Sequence, residues 1–406
     1  MKKHILVVAS TFPAHEKDSV PTFVRDQIVA MKHVEPELQF TVLAPHDRRS
    51  NTKDFTRHAT YDEYRFHYAW PQRIEQLAGR GIMPALRRNP FNYLLLPSLF
   101  IGEFIALLRL VQQTKPDIIY AHWFTPQAVI ARYVGIFTHV PFVFTTHAAD
   151  VDAWHKVPLI GRFMVRSNAQ KSVAFTAVSR RSLARLENFM TKKQWRELQK
   201  RSAIIPMGTT LPKPHAKHQK THEKTILFIG RLAEKKGVHY LLPAFAKLHD
   251  IKARLIIAGD GPWRERLQAQ AAELGLTAST SFVGYVQGAE KDKLLSESDI
   301  LVVPSITAGL GDVEGLPVSL MEGLAYGKIC IATPESGADD IITDGKSGFL
   351  VPQKNSQALA RTLDRVLTLD QTATKKIATA ARQCAEQFSW PKVARQHIDF
   401  LFKDTV

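Results

Sequence analysis

Cysteine is nearly absent from this chain. Cys330 and Cys384 are the only two in 406 residues. They form no C-x-x-C pair and offer no metal-ligand spacing, which argues against a disulfide framework or a cysteine-based zinc site and for a reducing compartment. A long hydrophobic run is missing as well. The most apolar region, 91–111, is interrupted by Pro97, Glu103 and Arg109, so it is expected to fall short of the ~20 apolar residues of a membrane span. The apolar stretch near the start, Ile5-Leu6-Val7-Val8-Ala9, is too short for a secretory signal core and reads as a first buried strand. No internal repeat and no long low-complexity tract stand out.

Negative charge is scarce too, with 38 Asp and Glu against 54 Lys and Arg for a net charge of +16. The surplus is uneven: residues 151–200 hold eleven Lys or Arg against three Asp or Glu, a surplus of eight. Arg180, Arg181, Arg185, Lys192, Lys193, Arg196 and Lys200 belong to this cluster. It is either a solvated helix face or a surface for an anionic partner such as lipid headgroups. Nucleic acid is not expected, because the cluster carries no recognition motif and no interleaved aromatics.

What is present describes a globular protein, 45% hydrophobic and 23% charged. Its length exceeds one ordinary core, so two domains are expected. Short β-branched runs alternate with amphipathic stretches, the pattern of parallel sheets with crossover helices. In the first half the strands are expected at 5–9, 40–44, 118–121, 142–145, 173–178 and 203–206. In the second they are expected at 226–229, 254–258, 281–283, 300–303, 329–332 and 348–351. Helices are expected at 21–33 and 317–326, with a long pair over 357–387. Residues 211–224, rich in charge and carrying two prolines, read as a linker. The division is then 1–210, the linker, 225–388, and a terminal helix 389–406 returning to the first domain. The fold class is α/β, with two Rossmann-like doubly wound domains facing a central cleft.

Chemistry concentrates at the expected strand ends of the second half. Glu314-Gly315-Leu316-Pro317-Val318 runs into a helix carrying Glu322. Pro317 suits the first helical position, and the amides around it face the positive end of the helix dipole, a site for phosphate or sugar oxygens. Gly230-Arg231 and Lys236-Gly237 lie on a strand-to-helix loop where two cations can converge on a diphosphate. Gly259-Asp260-Gly261-Pro262 allows a tight turn, and Phe282-Val283-Gly284-Tyr285-Val286 offers backbone to a nucleobase. Each piece alone also admits a bland reading: a solvated basic loop, a plain strand–turn–helix connection, or an ordinary buried strand end at Phe282.

As an ordered set, these four pieces resemble the C-terminal domain of the retaining, nucleotide-sugar-dependent glycosyltransferases of GT-B fold (group 1, family 4 type). Gly323-Leu324-Ala325-Tyr326-Gly327 and Asp344-Gly345 with Gly348-Phe349-Leu350-Val351 extend the resemblance. In the first half, Phe12-Pro13, Pro21-Thr22-Phe23-Val24-Arg25-Asp26-Gln27, Ala121-His122-Trp123, Thr145-Thr146-His147-Ala148-Ala149-Asp150 and Ala177-Val178-Ser179 resemble the same family more loosely. The Gly-Gly pair that many relatives carry in the first loop is missing here.

The resemblance implies roles. Arg231 and Lys236 hold the donor diphosphate. Glu322 takes the ribose hydroxyls. Glu314, with Gly315, Leu316, Pro317 and Val318, positions the donor sugar, and Gly284 and Val286 meet the base. His147 approaches the transferred sugar from the opposite domain, with His122 and Asp150 on the acceptor side. It implies a retaining, metal-independent hexosyltransferase with a UDP- or GDP-sugar as co-substrate and no cofactor. Asp150-Val151-Asp152 has the spacing of a D-x-D metal motif but is set aside, because that family handles the diphosphate with Arg and Lys. The acceptor is expected to be lipid-linked or a saccharide of the cell envelope, and the location cytoplasmic, peripheral on the inner face of the plasma membrane. A nucleotide-sugar epimerase on the same scaffold and a non-enzymatic basic surface-binding protein are the competing readings.

Overall fold

A computed structural model of the chain describes residues 3–15, 18, 20–48, 52–78, 81–147, 150–212, 223–248 and 252–402. Residues 213–222 of the expected linker lie outside this set, as do Ala148 and Ala149. The chain divides into two compact units, Met1–Pro206 with Trp390–Val406, and Met207–Ser389.

The first unit is built on eight strands: β1 (His4–Ala9), β2 (Gln39–Pro45), β3 (Phe55–Arg57), β4 (Asp62–Phe66), β5 (Ile118–His122), β6 (Phe142–Thr146), β7 (Ala174–Ala177) and β8 (Ser202–Ile204). They lie in the order β3-β4-β2-β1-β5-β6-β7-β8, all parallel except β3. β1 reads as a continuous apolar run because both faces of a parallel sheet are covered. Its side chains alternate: Leu6 and Val8 enter one core cluster, and Ile5, Val7 and Ala9 the other. The second cluster is closed by Val24, Ile28 and Met31 of the helix Phe23–Val34. Ala394, Ile398 and Leu401 of the terminal helix Trp390–Leu401 complete it.

β3 and β4 carry no strand signal in the sequence. Three of the five residues of β4 are charged, which hides the alternation. Glu63 and Arg65 are nonetheless buried, because they pair at 2.6 Å and the guanidinium donates to the carbonyls of Phe12, Pro13 and Pro45. A buried charge is tolerated when it is paired and hydrogen-bonded in this way.

The apolar region corrects another expectation. The six-residue 3-10 segment Pro90–Leu95 continues directly into the helix Leu96–Thr114. Together, Pro90–Thr114 forms 25 residues with a mean hydropathy of 2.0 in its most apolar stretch. By length and composition that is enough to cross a bilayer. Pro97 starts the α-helix rather than breaking it, consistent with proline's preference for a first turn. One face, with Leu99, Leu107, Leu110 and Val111, belongs to the core of the unit, where Glu103 is also buried.

The second unit has six parallel strands: β9 (Lys224–Ile229), β10 (Ala253–Ala258), β11 (Thr280–Gly284), β12 (Ile300–Val303), β13 (Ile329–Ala332) and β14 (Phe349–Leu350). Their order, β11-β10-β9-β12-β13-β14, reverses direction between β9 and β12. The first unit reverses likewise between β1 and β5. In open α/β sheets the loops at the carboxyl ends of strands flanking such a reversal form the ligand crevice.

Candidate active site

The loops flanking the reversal in the second unit carry the charged residues. After β9 the chain passes Gly230 and Arg231, makes one 3-10 turn at Glu234–Lys236, and enters the helix Val238–Phe245 through Gly237 at φ 69°. A side chain at Gly237 would place its Cβ 1.8 Å from the carbonyl oxygen of Pro304. Glycine therefore lets this turn press against the loop that leaves β12. The Ile306 amide fastens the two loops by donating to the carbonyl of Lys235 at 2.8 Å.

This contact aims two ammonium groups at one carboxylate. Lys236 Nζ lies 3.0 Å from Glu314 Oε2, and Lys235 Nζ lies 3.3 Å from Glu314 Oε1. Lys235 also reaches Asp312 Oδ1 at 3.3 Å. The Glu314 side chain is only 14% exposed. Burial alone would raise its pKa, but the two lysines overcome it and hold the carboxyl at about 2. Lys235 is shifted up in turn, first by Glu314 and against its own burial.

Glu322 sits on the helix Val318–Ala325. Its Oε1 lies 2.5 Å from Lys291 Nζ, presented by the helix Gly288–Glu297. Burial lowers the Lys291 ammonium, yet the Glu322 charge and hydrogen bond carry it above its ordinary value. Pro317, expected as the first helical residue, is instead the residue before it, with extended backbone at ψ 124°. The helix therefore starts at Val318, and the first amides without an intrahelical acceptor are those of Val318 and Ser319. Gly315 and Leu316 are buried in the non-helical approach.

Arg231 is half-buried on the β9 loop. Gly284 ends β11 at φ 82° and its carbonyl accepts from the Gly259 amide at 2.6 Å. The Val286 side chain is buried, so only its backbone can face a ligand. Lys235, Asp312 and Lys291 escaped the sequence reading. Lys235 was legible as the neighbour of Lys236, whereas nothing in the letters of the helix Gly288–Glu297 singles out Lys291.

In the first unit the strand-end histidines meet. His122 Nδ1 lies 3.1 Å from His147 Nε2, and the rings stack at 5.3 Å between centroids. Trp123 and Phe23 cover His147 at 4.7 and 5.2 Å. Burial, then His397, pushes His147 down to about 3, and burial with both neighbouring imidazoles pushes His122 well down. Both rings are therefore neutral near neutral pH. One nitrogen of the contact donates and the other accepts.

His122 has no exposed surface. It cannot touch an acceptor as expected, and it supports His147 instead. Asp150 accepts from the Phe124 amide at 2.7 Å, from the Thr146 hydroxyl and from the His147 amide at 3.5 Å. Its carboxylate braces the ends of β5 and β6. Asp152, at the second position of the D-x-D spacing, pairs with Arg185.

The sequence profile of glycosyl transferases group 1 matches residues 212–383, and that of glycosyltransferase family 4 matches residues 50–198. The two halves of the chain are thus similar to two successive segments of known glycosyltransferases. WcaL of Salmonella typhimurium, a glycosyltransferase assigned provisionally to colanic acid biosynthesis, is 34% identical over 174 residues, 42% of this chain and 43% of WcaL. The match thus spans less than half the length of that curated relative. An alpha-1,4-N-acetyl-D-galactosaminyltransferase of Campylobacter jejuni, named for a PP-undecaprenol-linked acceptor, is 28% identical over 70% of this chain and 74% of its own. HepE of Anabaena, solved with UDP and glucose, has a TM-score of 0.68 at 18% identity, covering 99% of this chain and all of HepE. The fold is that of the GT-B glycosyltransferases.

Proposed function

We propose that the protein is a retaining glycosyltransferase that moves a hexose-type sugar from a UDP- or GDP-sugar to a lipid-linked or polysaccharide acceptor of the cell envelope. The observation that carries this reading is the Lys235–Lys236–Glu314 cluster beside the Glu322 helix, at the strand reversal of the second unit. The donor site follows from its charges. Arg231 and Lys236 bind the diphosphate, and Lys236 exchanges its Glu314 partner for phosphate oxygens as the donor enters. Glu322 releases Lys291 and accepts both ribose hydroxyls. The free amides of Val318 and Ser319 face the donor with the positive end of the helix dipole.

In the transition state the sugar gains oxocarbenium character while charge builds on the leaving diphosphate. Glu314 then stabilises or positions the cationic sugar, and the cations stabilise the leaving group. With basic side chains neutralising the diphosphate, the donor step runs without a metal. On the first unit, His147 serves the sugar side as a neutral hydrogen-bonding group. His122 Nε2 is buried and lacks a partner among the described residues. A buried unpaired N–H is rarer than an under-satisfied acceptor. The favoured tautomer therefore has His122 Nδ1–H donating to His147 Nε2, which leaves His147 Nδ1–H as an outward donor.

The acceptor side accords with the surface of the first unit. The helices Leu96–Thr114, Val129–Thr138 and Pro158–Lys171 are neighbours, linked by Phe104 against Phe137 at 6.0 Å and Tyr133 against Met164 at 3.7 Å. Around them, large apolar side chains lie exposed, including Phe91, Leu94, Phe137, Leu159, Ile160 and Phe163. Exposed Lys156, Arg162, Arg180, Arg181, Lys192 and Lys193 belong to the same unit. Apolar anchors with a basic surround match an anionic bilayer surface, which supports a peripheral place on the cytoplasmic leaflet and a lipid-linked acceptor.

A thermal-shift panel of nucleotide sugars, with and without EDTA, tests the donor half. At a hundred times its dissociation constant the true donor adds about 2.7 kcal/mol of stability, and the increment is the same in EDTA. No shift with any UDP- or GDP-sugar would overturn the reading. Incubating the responding donor with lipid-linked saccharides, and reading the anomer of the product by NMR, tests transfer and retention.

A further inference from the structure

We propose that the first unit binds a divalent cation of the zinc class through His46, His67 and Glu75. The three residues come from separate segments. His46 directly follows β2, His67 directly follows β4, and Glu75 closes the 3-10 turn Gln72–Ile74. Their ligand atoms all lie within 4.8 Å of one another. Two imidazoles and a carboxylate are a donor set that suits zinc and its neighbours, leaving the fourth position to water.

The carboxylate is fixed in place. Glu75 is buried, and its Oε1 accepts from the amides of Tyr68 at 2.7 Å and Ala69 at 3.1 Å. Its Oε2 faces two ring nitrogens of the same kind, His46 Nδ1 at 2.6 Å and His67 Nδ1 at 3.0 Å. The two rings lie 4.3 Å apart between centroids. On the far side of His67, Nε2 meets Asp54 Oδ1 at 3.1 Å. A carboxylate behind a ligating imidazole fixes the tautomer that turns the other nitrogen's lone pair to a metal. Charge balances as well: the two carboxylates offset a divalent ion, with both imidazoles neutral.

Such an ion fastens the segment 67–75 to the ends of β2 and β4, at the carboxyl edge of the sheet. That segment carries Trp70, which is 89% exposed. The ion therefore orders a turn that presents an aromatic platform. This inference stands apart from the transferase reading, because none of its residues belongs to the proposed donor site.

The test uses the full chain without an affinity tag, stripped by chelator and dialysed. Zn²⁺ and Co²⁺ are titrated in, with bound metal counted by mass spectrometry and Co²⁺ coordination read by visible absorption. The expected result is one tightly held equivalent, weakened at least ~10–100-fold in His67→Ala and in Glu75→Gln. His58→Ala, which removes an imidazole paired with Glu63, keeps wild-type affinity. Glu75 is deeply buried, so half-exposed His67 supplies the decisive variant if Glu75→Gln does not fold. Wild-type and His67→Ala proteins binding Zn²⁺ with equal affinity, or neither retaining it, would overturn the proposal and leave the cluster as a carboxylate hydrogen-bonded by two imidazoles.

Discussion

Replacing Glu314 with glutamine removes the one carboxylate that Lys235 and Lys236 share. The consequence can be worked from the site. Each tenfold in acidity corresponds to about 1.4 kcal/mol, so holding this carboxyl at about 2 rather than at 4.5 contributes ~3 kcal/mol to the folded state. Because the folded-state value is depressed, that contribution is fully present above about pH 4.5 and is lost as pH falls towards about 2. Glu314→Gln lacks it at every pH and also leaves two ammonium groups facing an amide. Urea unfolding of both proteins from about pH 7 to about pH 2 tests this. Trp263, the only tryptophan between positions 207 and 389, reports on the second unit. The variant should be ~3 kcal/mol less stable near neutrality, and the two curves should converge in acid. Parallel curves, offset equally at every pH, would refute the reasoning, since the loss would then owe nothing to the charge of Glu314.

Arg231→Ala and Lys236→Ala should each cut the rate of sugar transfer by about 10²–10³-fold with the fold intact, as loss of one transition-state donor does elsewhere; steady-state kinetics with the responding donor reads this. Lys291→Ala removes one competing partner of the Glu322 carboxylate, so nucleotide affinity by calorimetry should rise a few-fold. Glu322→Ala should lower it roughly 10–100-fold, the worth of a hydrogen bond to a charged group, and a dideoxyribose nucleotide should feel neither change. The double variant Leu159→Asp with Phe163→Asp should reduce sedimentation with anionic vesicles at least ~10-fold, since each apolar anchor is worth about 1.5–3 kcal/mol when fully buried.

The sheets were largely legible in the letters. Parallel strands covered on both faces read as continuous apolar runs, and β1, β9 and β12 announce themselves that way. β4 did not, because a strand that buries Glu63 against Arg65 looks like surface until its partners are known. The helix Leu96–Thr114 is disguised for the same reason. Pro97 and Glu103 count as interruptions in a list of residues, yet one starts the helix and the other is buried in its core face.

The site shows a further limit, which concerns pairing rather than position. Arg231, Lys236, Glu314 and Glu322 could be picked out because loops at strand ends are where such folds bind ligands, and the sequence places them there. Read as letters they were four separate groups awaiting a substrate. In the folded chain Lys236 and Lys235 neutralise Glu314, and Lys291 neutralises Glu322. These pairs keep buried charges solvated by one another while no ligand is bound. On the function proposed above, a donor would compete with these internal partners, and its affinity would be the difference between two sets of ion pairs. The proposal therefore expects Glu314→Gln to strengthen diphosphate binding while lowering turnover, so affinity and rate must be measured separately for each variant.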